Sequence, residues 1–229
     1  MNPAVFDEAA YQMVSSGNKE RRLQKTQDSV DAHDNSEGWA IVPKGSNNQM
    51  VTFRADDGRM HISHRGTSLT RNKDLAADLS IALGLQADDK RFKRRTKMTE
   101  KVMKANPDAK FSLSGHSYGG SSALHTATTS RYVGDNITKV DTHNLGASVI
   151  GTTKVGKKRT KMLADKITHH RTNGDAISAA ALVNKPIGSV KNYNSKGTAS
   201  SRATQALATA VGLGMTSRAL HDHKLHHFL

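Results

Sequence analysis

Apolar positions in this chain fall into short runs separated by polar breaks. Met1 to Val30 reads as a helical, charged N-terminal region, and Asp31 to Gly38 (DAHDNSEG) as a polar loop. Three strands are expected next: Trp39 to Val42, Met50 to Arg54 and Met60 to Ser63. Asp56-Asp57-Gly58 between the last two is a hairpin-turn signal. Asp74 to Leu83 predicts a helix, with Leu75, Leu79 and Leu83 on one face. Arg91 to Ala105 predicts a second, very basic helix. Asn106-Pro107-Asp108 ends it, because proline cannot continue the helical bonding. A short apolar strand, Phe111 to Leu113, then runs into a glycine-rich turn, and a helix over Ser121 to Thr129 follows. Ile137 to Val140 and Lys166 to His169 read as strands, and Ser201 to Leu220 as an alanine-rich helix. Such alternation predicts a mostly parallel sheet with helices on its faces.

Composition refines this picture. The 229 residues suffice for one sizeable core. Apolar residues make up 35% and aromatics 4%, so the core should be modest and built from Ala, Val, Leu and Ile. No segment approaches the ~18 apolar residues of a membrane-spanning helix; Ala206 to Met215 comes nearest and is too short. Met1 to Met13 lacks a basic stretch followed by an apolar one, so no secretory signal is expected. The chain has no cysteine, which excludes disulfides, thiolate catalysis and Cys-based zinc sites.

Charge adds more. Thirty-four Lys and Arg stand against 20 Asp and Glu, a net +14. Such a field attracts polyanions: nucleic acid, an anionic membrane surface or an acidic protein. The basic residues cluster at Lys90 to Lys97 (KRFKRRTK) and Lys154 to Lys161 (KVGKKRTK). With no signal and no cysteine, the expected setting is intracellular or inside a virus particle.

The chemistry is carried by Gly115-His116-Ser117-Tyr118-Gly119-Gly120, a G-x-S-x-G pattern between an expected strand and an expected helix. A serine there sits on a tight turn that lifts its hydroxyl clear of the sheet. Side chains at the glycine positions would strike neighbouring backbone. The helix N-terminus also favours developing negative charge. Serine is a weak nucleophile and needs a histidine base oriented by a carboxylate, here in the order Ser, Asp, His. Asp175 follows the expected strand Lys166 to His169; Asp141, after the earlier strand, is its main competitor. The tail offers His221, His223, His226 and His227, among which composition does not choose. The same tail also reads as a solvated terminus or, without Cys or a clear second shell, a weak metal site.

The motifs together resemble those of class 3 lipases. Ser63-His64-Arg65-Gly66-Thr67 resembles the family's F-R-G-[ST] strand end. Asp74-Leu75-Ala76-Ala77-Asp78-Leu79 is similar to its D-W-x-x-D-L helix, and the elbow to its G-H-S-L-G-G. Asn144-Leu145-Gly146-Ala147-Ser148 stands where the family carries T-F-G-x-P. Thr172 to Ile177 resembles its acid motif N-x-x-D-x-[VI], and His223 to Leu229 its terminal H-x-x-x-x-Y-L. These matches run in family order over residues 39 to 229, preceded by an N-terminal helical region, 1–38, expected to pack on that domain. The resemblance implies an α/β-hydrolase fold and a triad of Ser117, Asp175 and His223. It also implies an oxyanion hole of Thr67 and the Tyr118 N–H, such donors giving about 3 kcal/mol of transition-state stabilisation each. No cofactor or metal is implied.

Four residues depart from the family pattern: His64, Leu75, Tyr118 and Ser148. Thr67 to Lys73 (TSLTRNK), where many members carry a lid, is polar, so a strongly hydrophobic lid is not expected. The expected activity is serine ester hydrolysis of lipids, with phospholipid favoured by charge. The alternative is a weakly active or inactive hydrolase-fold structural protein, basic, associated with nucleic acid or a virus particle.

Overall fold

Seven strands pair in the order of the chain: β1 (Trp39–Ile41), β2 (Met50–Ala55), β3 (Met60–His64), β4 (Phe111–His116), β5 (Ile137–His143), β6 (Ile167–Thr172) and β7 (Ser189–Tyr193). The first three are antiparallel neighbours and β3 to β7 are parallel. This is the mostly parallel sheet that the alternation of elements predicts, in the α/β-hydrolase fold that the resemblance implies. The computed structural model describes residues 1–34, 38–66, 90–145, 158–159, 161–173, 175, 187–194, 225 and 228–229. The helices expected at Asp74 to Leu83 and Ser201 to Leu220 lie outside the described residues.

The expected hairpin forms between β2 and β3. Gly58 takes φ +84°, a left-handed turn conformation that glycine reaches without steric cost, and its N–H donates to the Ala55 carbonyl at 2.9 Å. Strands β4, β5 and β6 all run further than their apolar residues suggest, because polar side chains continue them inside the protein.

One face of the sheet is apolar. Met50, Met60, Ile62, Phe111, Leu113, Val140 and Ile167 meet Met103, Ala123, Leu124, Ala127 and Val133 from α3 (Lys90–Lys104), α4 (Tyr118–Thr129) and α5 (Arg131–Asn136). α3 and α4 bear out the helices expected there, and α4 begins three residues earlier than its sequence suggests. α3 buries Phe92, Arg95, Thr99 and Met103, one stripe at helical spacing.

The other face carries the N-terminal region, which is two helices rather than one. α1 (Pro3–Ala10) starts with Asn2 accepting the Ala4 N–H at 3.1 Å and with Pro3 in the first turn. It buries Ala4, Val5, Phe6, Asp7, Ala9 and Ala10. Phe6 lies 4.9 Å from Trp39, 4.7 Å from Phe53 and 4.4 Å from His61, ring centre to ring centre. After a 3-10 turn, Tyr11–Val14, the charged residues gather in α2 (Lys19–Asp31), of which only Thr26 and Val30 are buried. Gln27 of α2 accepts from the Ile41 N–H at 2.8 Å and donates to the Trp39 carbonyl at 2.9 Å, satisfying the outer rim of edge strand β1.

Beneath α1 the sheet is polar. Asp7, fully buried, accepts hydrogen bonds from Ser63 Oγ at 2.6 Å, from Ser114 Oγ, and from His143 Nδ1 at 2.7 Å. Ser114 therefore spends its proton on Asp7 and accepts from His61 Nε2 at 2.8 Å, while His61 Nδ1 accepts from Ser112 at 2.8 Å. One carboxylate thus ties α1 to β3, β4 and β5. Asp7→Ala leaves three buried donors without their acceptor, at about 1–3 kcal/mol each. We expect a loss of about 3–5 kcal/mol in urea unfolding; a loss under 1 kcal/mol would contradict this account of α1.

Candidate active site

Ser117 joins β4 to α4 with φ +55° and ψ −125°, a backbone conformation that side chains rarely adopt. Its N–H donates to the His143 carbonyl at 3.0 Å, and its own carbonyl accepts from the Ser121 N–H at 3.2 Å. The strained residue is held by the end of β5 on one side and by the first turn of α4 on the other. The glycines explain how chain segments meet here. A Cβ on Gly115 would lie 2.3 Å from the Gly119 carbonyl carbon. One on Gly119 would lie 2.0 Å from the His64 carbonyl oxygen. Those obstacles are backbone, which cannot swing away. Gly66 is equally confined, its Cβ position 2.6 Å from the His116 carbonyl and 2.2 Å from the Tyr11 hydroxyl. The end of β3, which leads to Thr67, therefore lies directly against the elbow. Thr67 itself is outside the described residues.

Tyr118, the residue after the serine, is buried under α3. Its ring centre lies 4.9 Å from that of Phe92, and the Arg91 and Arg95 guanidinium carbons lie 5.0 and 5.1 Å from it. This is why a bulky aromatic is tolerated at the elbow, and why the basic run of α3 cannot be read only as a solvated face. Tyr11, which sequence reasoning missed, shares a hydrogen bond of 2.8 Å between its hydroxyl and His116 Nδ1. Burial, reinforced by the Asp7 charge, raises the Tyr11 phenol above its ordinary value and keeps it protonated. No signal in the sequence marked it, because it lies over a hundred residues from its partner.

Asp175 lies just past β6, 1% exposed, with its N–H donating to the Thr172 carbonyl at 3.1 Å. Ser117 and Asp175 thus both stand beyond the carboxyl ends of parallel strands, where open α/β sheets place their sites. The competitor, Asp141, lies within β5 and is bonded to His170 Nε2 at 2.8 Å and Lys139 Nζ at 3.0 Å. Burial opposes its ionisation, but those two donors prevail and hold its carboxyl below the usual range. Asn144, at φ +43°, accepts the Thr172 N–H at 2.9 Å and so clamps the ends of β5 and β6 together beside Asp175.

His223 lies outside the described residues, as do His221, His226 and His227. Of the tail, residues 225, 228 and 229 are described. Leu225 and Phe228 pack with Ala4, and the Phe228 ring centre lies 5.0 Å from His143 and 5.1 Å from Tyr193. Asn2 Nδ2 donates to the Phe228 carbonyl at 2.7 Å. The elbow, the buried carboxylate and the anchored tail occupy one end of the sheet. Such an arrangement can activate a serine hydroxyl once an imidazole is supplied.

The chain matches the family model Lipase (class 3) over residues 89–185, a span that contains α3, the elbow and Asp175. No curated protein matches it in sequence. Among solved structures, its fold is similar to that of M37 lipase, with a TM-score of 0.62 at 13% identity, covering 99% of this chain and 95% of that one. Lip2 lipase from Yarrowia lipolytica gives a TM-score of 0.51 at 13% identity, covering 85% and 77%. A triacylglycerol lipase described as having a serine protease triad as its catalytic centre gives 0.52 at 14%, covering 85% and 79%.

Proposed function

We propose that this chain is a serine ester hydrolase of the class 3 lipase type, acting on lipid esters. The observation that carries the reading is Ser117, held at φ +55° between β4 and the buried helix α4. Backbone strain of this kind costs about 1–3 kcal/mol and persists where function needs it. In the mechanism, His223 takes the Ser117 proton as Oγ attacks the ester carbonyl. Asp175 orients the imidazole and stabilises its charged form. The Tyr118 N–H, at the start of α4, and Thr67 stabilise the oxyanion. The tetrahedral intermediate expels the alcohol, which His223 protonates, and water then releases the acid from the acyl-enzyme. Support for His223 comes from the tail pinned by Leu225 and Phe228, and support for Thr67 from Gly66 against the His116 carbonyl. The structural neighbours named as lipases point to the same substrate class.

A fluorophosphonate probe tests this reading. The probe should label the wild-type protein on Ser117, located by peptide mass, and leave Ser117→Ala unlabelled. Labelling elsewhere, or none, would reject the nucleophile.

A second reading has one observation in its favour. Lys90, Arg91, Lys93, Arg94, Lys97, Lys101 and Lys104 of α3 are all exposed, forming a basic face suited to an anionic partner, whether membrane or nucleic acid. No helix among the described residues is long and apolar enough to cross a membrane. A basic structural protein without catalysis would be retained on heparin at low salt and ignore the probe.

A further inference from the structure

Arg95 is out of place for a purely structural cation. It projects from α3 toward the elbow and is 4% exposed. One nitrogen, Nη1, donates to the Arg65 carbonyl at 2.8 Å, and the guanidinium lies against the Tyr118 ring. Its Nε is buried with no hydrogen-bond partner, and among the described residues no carboxylate pairs with it. Arg65, one residue before Gly66, shows the same deficiency. Its Nε donates to the Asn48 carbonyl at 2.6 Å, while Nη1 is buried without a partner among the described residues. Burying a charge without its counterion is costly, and the cost grows when like charges gather. Here they gather: desolvation, with Arg65 and Arg91 adding to it, lowers the Arg95 guanidinium to about 10. A carbonyl and an aromatic ring offset only part of this. Both residues flank the backbone leading from β3 into the proposed oxyanion loop, and Arg95 packs on the residue next to the nucleophile. Ser117 is itself only 6% exposed.

We propose that Arg95 and Arg65 form an anion subsite beside Ser117 that takes a phosphate-type oxyanion, so that the preferred ester carries such a group. This rests on the hydrolase reading for the substrate being an ester, and on the two arginines alone for its charge. A guanidinium suits this role because its planar set of donors matches phosphate oxygens. Among the described residues two of their nitrogens have no acceptor, and an oxyanion would supply one.

The test compares two soluble esters with the same acyl chains, dihexanoyl glycerol and dihexanoyl phosphatidylglycerol, both below their micellar concentrations. The wild type should favour the anionic ester in kcat/KM. In Arg95→Met and in Arg65→Gln that preference should fall at least 10-fold, chiefly through KM for the anionic ester. Arg65 is the more exposed of the two, so Arg65→Gln keeps the test informative if Arg95→Met does not fold. Equal losses on both esters would overturn the proposal and leave the arginines as supports for the strand end. Two arms separate the sources of the anion. Competitive inhibition of neutral-ester hydrolysis by millimolar inorganic phosphate supports a site for free phosphate. Preference for the phospholipid without such inhibition supports a site for the headgroup. If the wild type hydrolyses neither ester, the hydrolase reading fails and the subsite is judged by binding. A rise in melting temperature with dihexanoyl phosphatidylglycerol, lost in Arg65→Gln, then sustains it; no rise overturns it.

Discussion

Ser117→Ala is expected to lower kcat for a short-chain ester by about 10⁵–10⁶-fold, with KM changed by no more than a few-fold. Removing the nucleophile of a triad typically eliminates everything except the contribution of the oxyanion donors and of binding. The substitution should not unfold the protein, because among the described residues no hydrogen bond uses the Ser117 hydroxyl; the two that hold the elbow use its N–H and carbonyl. A companion variant separates chemistry from structure. Ser117→Gly also removes the hydroxyl, but it relieves the φ +55° strain and should raise stability by about 1–2 kcal/mol. Loss of activity with gain of stability would mark a strained functional residue. If Ser117→Ala retained wild-type turnover, the whole triad assignment would fall.

The second large effect is acid unfolding. His61 accepts from Ser112 and donates to Ser114, leaving no lone pair for another proton. Burial drives its pKa down to about 3. His64, bonded to Ser122 and Thr99 at 3.0 Å each, is held well below its ordinary value by burial and then by the Arg95 charge. His169 and His170 are lowered in the same direction, again chiefly by burial. These histidines are neutral in the folded chain and take up protons when it unfolds. Their stabilisation is therefore intact above the unfolded value of about 6.5 and shrinks as pH falls below it. At pH 5, His61 alone removes about 2 kcal/mol, and His64, His169 and His170 act in the same direction. Whole domains have only about 5–15 kcal/mol in reserve. Chemical denaturation at pH 7.5, 6 and 5 should show the midpoint falling steeply, with cooperative unfolding near pH 5. A midpoint that moves by less than the equivalent of 1 kcal/mol would refute the neutral, buried state of these rings.

The elbow was readable in the sequence because its constraint is steric and local. A short apolar strand, two obligatory glycines and a helix must coincide, and Phe111 to Thr129 shows all three. Asp175 was a candidate because it follows an expected strand, but Asp141 shared that feature and only the family resemblance favoured Asp175 over it. The polar face of the sheet was hidden. His61, Ser63, Ser114, Asp141, His143 and His170 point inward, where alternation normally predicts apolar residues, so their pattern signals solvent rather than a core. That is why β5 and β6 read too short. β7, SVKNY, escaped notice because most of it is exposed and it has no apolar run. The division of the N-terminal region into a buried α1 and an exposed α2 was hidden for the opposite reason: averaged with α2, the apolar residues of α1 disappear into a charged segment. The packing of Arg95 on Tyr118 joins residues 23 apart and has no signature in either local motif.

The position of α1 also bears on the order in which the chain assembles. The strands pair with their sequence neighbours, so most of the sheet can zip up as it is synthesised. α1 leaves the ribosome ahead of every strand it packs on. Asp7 meets its histidine 136 residues later, and Asn2 meets Phe228 after 226. Phe6 and Met13 can dock only once β2 and β3 exist, and the Asp7 carboxylate lacks its full set of donors until β5 supplies His143. The nascent chain should therefore carry a sticky, unfinished N-terminal helix through most of its synthesis, and closure over the sheet should be the late step. A chaperone that holds this helix would improve yield more than one that acts on the finished chain.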